Sequence, residues 1–393
     1  MDIPLEFDLR KPEMYMDNAA TTVIDRRVVD AMQPYLEERY GNPETAYHLG
    51  REAKDAIEVA RAQIADMLKV KPEEIYFTSG GTEANNWAIK GLACPDDKTG
   101  ILVSAVEHKS VLEPAGWMAG IRGSAKFVKT VPVDEFGMVR MDVLETHLKD
   151  GSIGLVSIQF ANNEVGTLQP LKDISKLCKQ YGATLHCDAV QGLGKVDFTA
   201  AGIGADMISL SAHKIHGPMG VGALWVKTGT PLEPLLHGGG HEGGMRSGTH
   251  GVPQIVGFGK AVELAWTHLG TDMPRLSMLV DTIAARLALT VDAKRNGHPT
   301  VRLPNILNMT IPKANASLVC GVLGKHGICV STGAACGTKS GPSHVLMAMG
   351  KDYQSCVSTF RISLSRYNTD KEAGMLVARF HGALREAKLR DVV

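Results

Sequence analysis

The sequence predicts an α/β protein built on a mostly parallel sheet with helices on both faces, followed by a smaller α+β unit. Three observations lead there. Short, strand-like apolar runs recur at 74–78, 101–105, 155–160, 184–188, 207–210 and 222–226. Helical stretches such as 51–68 and 171–181, or long connections, separate most of them, and such alternation favours parallel strands joined by crossovers. After Gly251 the texture changes to one long helical pattern and a few dispersed strands.

Taken in order, the run at 74–78 leads through Ser79-Gly80-Gly81 into a helix expected over 82–90. Glycines let a backbone approach a phosphate, and a helix N-terminus adds free N–H groups and a positive dipole end. The next two runs are followed by Val106-Glu107-His108-Lys109-Ser110 and by Asn162-Asn163-Glu164-Val165-Gly166. The run at 184–188 ends on Asp188, with Gln191 three residues on, and the run at 207–210 opens into Ser211-Ala212-His213-Lys214. All these positions lie at strand C-termini, where open α/β sheets bind ligands. From Pro253 to about Leu289 the helical pattern has the length of a spine between two domains, and strands near 306–310 and 361–364 complete the smaller unit.

A chain of 393 residues suggests two or three domains. Lys+Arg and Asp+Glu are both 42, so no net field recruits nucleic acid or an anionic membrane. The first residues, Met1-Asp2-Ile3-Pro4-Leu5-Glu6, lack the features of a signal peptide, and no apolar run approaches the roughly 18 residues of a membrane span. A cytoplasmic location is expected. Seven cysteines, at 94, 178, 187, 320, 329, 336 and 356, are odd in number, widely spaced and without a Cys-x-x-Cys pair. That argues against a disulfide framework and a zinc knuckle. Cys187 and Cys329 read as small buried hydrophobes in strands. Cys336, among the small residues of 331–342, reads as an exposed and reactive loop thiol.

Lys214 is the most informative residue. A lysine fixed at a strand end and partly desolvated loses its proton readily and suits Schiff-base chemistry. Pyridoxal phosphate requires such a lysine together with an acid that keeps its ring nitrogen protonated, and Asp188 offers that acid. The His108 imidazole suits stacking on a pyridine ring and proton exchange near neutrality. The amides after the 155–160 run and at Gln191 suit its hydroxyl.

The chain resembles the class V, fold type I pyridoxal-phosphate enzymes, and specifically the NifS/IscS-type cysteine desulfurases. The similarity runs from Tyr15-Met16-Asp17-Asn18-Ala19-Ala20-Thr21-Thr22 to Phe360-Arg361-Ile362-Ser363-Leu364. Between them lie Gly41-Asn42-Pro43, Thr78-Ser79-Gly80-Gly81-Thr82-Glu83, Asn162-Asn163-Glu164-Val165-Gly166, Ser211-Ala212-His213-Lys214, Gly238-Gly239-Gly240-His241-Glu242 and Met245-Arg246-Ser247-Gly248-Thr249. The resemblance implies a large cofactor-binding domain over 20–265, and a small domain from 1–19 and 266–393 that carries the cysteine loop. By resemblance Lys214 is the Schiff-base lysine, Asp188 the partner of the pyridinium nitrogen and His108 the stacking ring. Asn163 and Gln191 address the hydroxyl side. Gly81, Thr82, Ser211 and His213 bind phosphate, joined by Thr249 from the other subunit of a homodimer. Arg361 and Asn18 grip the substrate carboxylate, Asn163 lies beside it, and Cys336 takes sulfur from L-cysteine as a persulfide while alanine leaves. An unidentified sulfur-acceptor protein then receives it, for iron–sulfur assembly, tRNA thiolation or another thio-modification.

Two features limit what the resemblance implies. The sequence closes at Asp391-Val392-Val393 without the docking tail of housekeeping members, and the cysteine loop carries Gly337-Thr338-Lys339 where relatives often have small hydroxyl residues. Gly333 to Ser340 imitates a P-loop but has Thr338 where the second glycine belongs, so nucleotide hydrolysis is not expected. Three glycines between His237 and His241 make a helical metal pair improbable, and no metal is expected. The competing expectations are a selenocysteine lyase, an ordinary class V aminotransferase with no use for Cys336, and a catalytically silent scaffold.

Overall fold

The computed structural model describes residues 14–92, 99–121, 126–332 and 341–390. Cys94 and Cys336 therefore lie outside the described residues. Seven strands form the main sheet in the spatial order Ile75–Thr78, Gly222–Val226, Met207–Ser211, Thr184–Asp188, Ile153–Ser157, Gly100–Ser104 and Phe127–Val131. All neighbours are parallel except Gly222–Val226, which is antiparallel to both of its partners. Because two antiparallel pairings restore direction, Ile75–Thr78 points the same way as the five parallel strands. Six strand ends therefore open on one edge.

The strand interiors are apolar on both faces, as a sheet covered on two sides requires. A short polar line, Ser157–His186–Ser209, crosses this core. His186 is fully buried, with Nδ1 2.8 Å from Ser157 Oγ and Nε2 2.9 Å from Ser209 Oγ on the flanking strands. Burial pushes its pKa down to about 3, so the ring is neutral and both nitrogens are satisfied. Phe127–Val131 had no sequence signal because it is an edge strand with half-exposed residues and no apolar run. The run expected over 155–160 ends as a regular strand at Ser157. Beyond it, Ile158 and Phe160 still donate to the His186 and Asp188 carbonyls.

On one face the helix His48–Leu68 buries Ala53, Ile57, Ala60, Ile64 and Leu68, a stripe at helical spacing. It packs against the helix Val252–Val291, whose 40 residues span roughly 60 Å. Gly259 allows the close approach: a Cβ there would lie 2.7 Å from Ala60 Cα. The first turns of this long helix, with Ile255, Phe258 and Val262, belong to the core of the main sheet. Its later turns, with Leu279, Val280, Ile283 and Leu287, belong to a second core with Met309, Phe360, Ile362 and Phe380. That core covers a four-stranded antiparallel sheet in the order Ser331–Thr332, Thr359–Ser363, Ile306–Thr310 and Lys294–Arg295. Cys187 is buried, whereas Cys329, in the short strand Ile328–Cys329 beside Met14–Tyr15, is only partly so.

Substituting Gly259→Leu is expected to lower stability by about 1–3 kcal/mol through overpacking against Ala60, read as a lower urea midpoint. An unchanged midpoint would mean that the two helices separate without cost.

Candidate active site

The open sheet edge and residues 17–20 enclose a cavity of about 400 Å³. It is lined by Lys214, Asp188, His108, Asn163, Gln191 and Arg361, together with Gly81, Thr82, Ser211 and His213. Twelve of the sequence-predicted site residues can be placed, and these ten share the one cavity. Asn18 does not line it. Its Nδ2 donates to the Ser363 carbonyl (2.9 Å), and the residue lines a smaller chamber that it shares with Lys214. Thr249 is exposed and also lies outside the lining.

Lys214 follows strand Met207–Ser211 in a single 3-10 turn, Ala212–Lys214. Its Nζ donates to the Ala19 and Ala20 carbonyls, at 2.6 Å each. Burial, with the Arg361 cation next, pushes the amine down to about 8. His213 Nδ1 lies 3.1 Å from Thr21 Oγ1, and burial lowers this imidazole to about 4. Residues 17–22 form a strap fixed to the same turn, since Thr22 N and Oγ1 both donate to the His213 carbonyl.

Asp188 is buried at the end of its strand. Asn85 Nδ2 donates to one oxygen (2.7 Å) and Val190 N to the other (3.0 Å). Asn85 was not apparent from the sequence, although it stands one helical turn after Gly81, because its partner is 103 positions away. His108 caps the helix Lys109–Gly120, and its Nδ1 accepts from Ser110 N (3.1 Å). Accepting there places the proton of the neutral ring on Nε2. Burial, the leading effect, lowers the His108 pKa.

Gly80, at φ +151, turns strand Ile75–Thr78 into the helix Gly81–Gly91, a backbone geometry reserved for glycine. Glu83 stiffens the turn by accepting from Ser79 N (2.8 Å) and from Arg246 Nε (2.7 Å). Glu242 accepts from Phe77 N (2.8 Å) and pairs with Arg61, also at 2.8 Å. Both carboxylates thus tie the turn to the loop that carries Thr249. On the opposite side of the cavity, Arg361 Nη2 donates to Asp17 Oδ1 (2.8 Å) and Nη1 to the Asn163 carbonyl (3.0 Å). Its buried Nε has no partner among the described residues.

This donor set fits pyridoxal phosphate. A lysine with a lowered pKa, a buried carboxylate held by two donors, a neutral imidazole and a helix N-terminus entered through glycine face one cavity. The guanidinium beyond them suits a carboxylate.

Residues 14–376 match the family model for class-V aminotransferases. The chain is 43% identical over 362 residues to the cysteine desulfurase IscS of Methanosarcina thermophila, covering 91% of this chain and 89% of that relative. Among solved structures, a NifS-like protein superposes with a TM-score of 0.88 at 39% identity, covering 95% of this chain and 99% of the other. SspA in complex with cysteine superposes at 0.78 with 32% identity, covering 91% and 100%.

In cofactor-free protein, the rate of Lys214 labelling by an amine-reactive reagent is expected to reach half its maximum near pH 8. Arg361→Met should move that midpoint upward, because removing a neighbouring cation eases protonation. A midpoint above pH 10 in the parent chain would contradict the burial of this amine.

Proposed function

Because the chain belongs to the class-V aminotransferases, and within them to the cysteine desulfurases, we propose that it converts L-cysteine to L-alanine with pyridoxal phosphate and passes the sulfur onward through Cys336. The observation that carries this reading is the meeting of Lys214, Asp188, His108 and Arg361 on one cavity. Gly81, Thr82, Ser211 and His213 would hold the phosphate, and Asp188 the ring nitrogen. Asn163 and Gln191 would face the hydroxyl. When bound, pyridoxal phosphate supplies an electron sink that weakens bonds at the substrate's α- and β-carbons.

The protein's own groups divide the remaining work. Arg361 binds the substrate carboxylate, trading part of its contact with Asp17 for a fork of two hydrogen bonds. Lys214, which titrates near neutrality, takes up and returns a proton at Nζ. His108 presents its Nε2 proton to groups in the cavity, with Ser110 holding the tautomer. The Cys336 thiolate attacks the substrate sulfur; an S–S bond forms as the S–C bond breaks, and the carbon takes up a proton to leave alanine. The cysteine then carries the persulfide to an acceptor protein.

Thr249 stands exposed, which supports a homodimer in which it completes the cavity of a second copy. The two hydrophobic cores support a large domain over 20–265 and a small domain from 1–19 and 266–393, with Val345, Leu346, Met349 and Cys356 of the latter packed into the larger core. Among the described residues no helix is long and apolar enough to cross a membrane, and the cytoplasm is the compartment we propose.

Purified protein loaded with pyridoxal phosphate should release alanine and sulfide in equal amounts from L-cysteine and a reductant. Cys336→Ser should lower both by at least about 100-fold, and Lys214→Ala should abolish them. Equal rates in parent and Cys336→Ser would return Cys336 to an ordinary loop residue.

A further inference from the structure

Lys195 has no part in the chemistry described so far, yet it is one of the most deeply placed cations in the molecule. It is buried, and its strongest electrostatic neighbours are two further cations, Lys214 and Arg361. A lysine is kept in such a place only where its N–H groups are used. Its Nζ donates to Gln191 Oε1 (2.9 Å). Gln191 Nε2 in turn donates to the Ala19 carbonyl (2.9 Å), the acceptor that also holds Lys214 Nζ. Lys195 also lines a chamber of about 30 Å³, room for an ordered water, together with Asn18 and Asn305, whose Oδ1 atoms have no partner among the described residues.

A glutamine amide is nearly symmetric in shape and can turn either end toward a neighbour. A protonated lysine has three donors and no acceptor, so below the value of about 7 to which burial lowers Lys195 it admits only the oxygen end. We propose that Lys195 is a positioning residue that sets the hydrogen-bond polarity of Gln191. With Oε1 committed to Lys195, the NH₂ end must face the Ala19 carbonyl and the cavity. The wall near Lys214 thereby presents a donor, suited to an anionic oxygen on the ring of a bound pyridoxal phosphate. The donor-only cation enforces this from behind the wall, without touching ligand or substrate. The proposal rests on the pyridoxal-phosphate reading of the cavity.

The test is titration of pyridoxal phosphate into cofactor-free protein, followed by its visible absorption band. Lys195→Met and Gln191→Met are each expected to weaken binding about tenfold, the loss of one charge-assisted hydrogen bond. The double variant should lose no more than either single one, because both break the same link. A multiplicative loss of about a hundredfold, or unaltered binding in Lys195→Met, would overturn the proposal. Gln191→Glu tests it in a chain that keeps the lysine. A carboxylate beside Lys195 should raise the melting temperature of the cofactor-free protein by giving the cation a counter-charge, while binding weakens because the donor is gone. Changes of the same sign in both, or no change in affinity, would contradict the polarity argument. Failure of the parent chain to develop any band would overturn the reading of the cavity itself, whereas a normal parent band with multiplicative losses would overturn only the role of Lys195.

Discussion

Residues 17–22 are hydrogen-bonded on one side to the Lys214 turn and on the other to the strand that carries Arg361, and the site depends on that double attachment. Thr22 N donates to the His213 carbonyl, while Asn18 N donates to the Ser363 carbonyl. Between these anchors the carbonyls of Ala19 and Ala20 turn toward Lys214, and Asp17 turns toward Arg361. Neither sheet alone makes the cavity. The main sheet supplies the lysine, the acid and the imidazole, and the smaller one supplies the guanidinium. The strap fixes how they meet.

The electrostatics follow from this arrangement. Lys214 and Arg361 share the cavity with Asp17 and Asp188, and Lys195 is buried close to both cations. Each acid is held by short hydrogen bonds from a neutral amide, from backbone or from a guanidinium. Desolvation lowers the two lysines toward neutrality, so proton exchange at Lys214 needs little driving force. Glu107, beside His108, is the counterpart. It is fully buried, accepts from Gln159 N (3.0 Å), and is pushed up to about 8 by burial. It ties the loop bearing His108 to the end of a neighbouring strand.

Much of this was legible in the sequence, for identifiable reasons. Thr184–Asp188, Gly222–Val226 and Leu171–Tyr181 occupy the residues their patterns indicated, because buried strands and amphipathic helices leave strong periodic signals. Phe127–Val131 left none, since an edge strand need not be apolar. At the site, Lys214, Asp188 and His108 stood out by chemical type at strand ends. Asn85, Asp17 and Lys195 did not, because their meaning lies in partners brought close only by folding. The Asn18 amide, which the sequence assigns to the ligand, donates to the Ser363 carbonyl and so joins residues 17–22 to the strand that carries Arg361.

The same strap constrains how the protein is made. Asn18 and Ser363 are 345 positions apart, and strand Met14–Tyr15 pairs with Ile328–Cys329. Residues 14–18 must therefore wait for these partners until the chain has been made through Ser363. The main sheet has every one of its strands by Val226 and needs no such delay. Ligand-binding competence is consequently a late event in biosynthesis, and a nascent chain stalled before residue 328 would hold the lysine and the acid without the wall that completes their pocket.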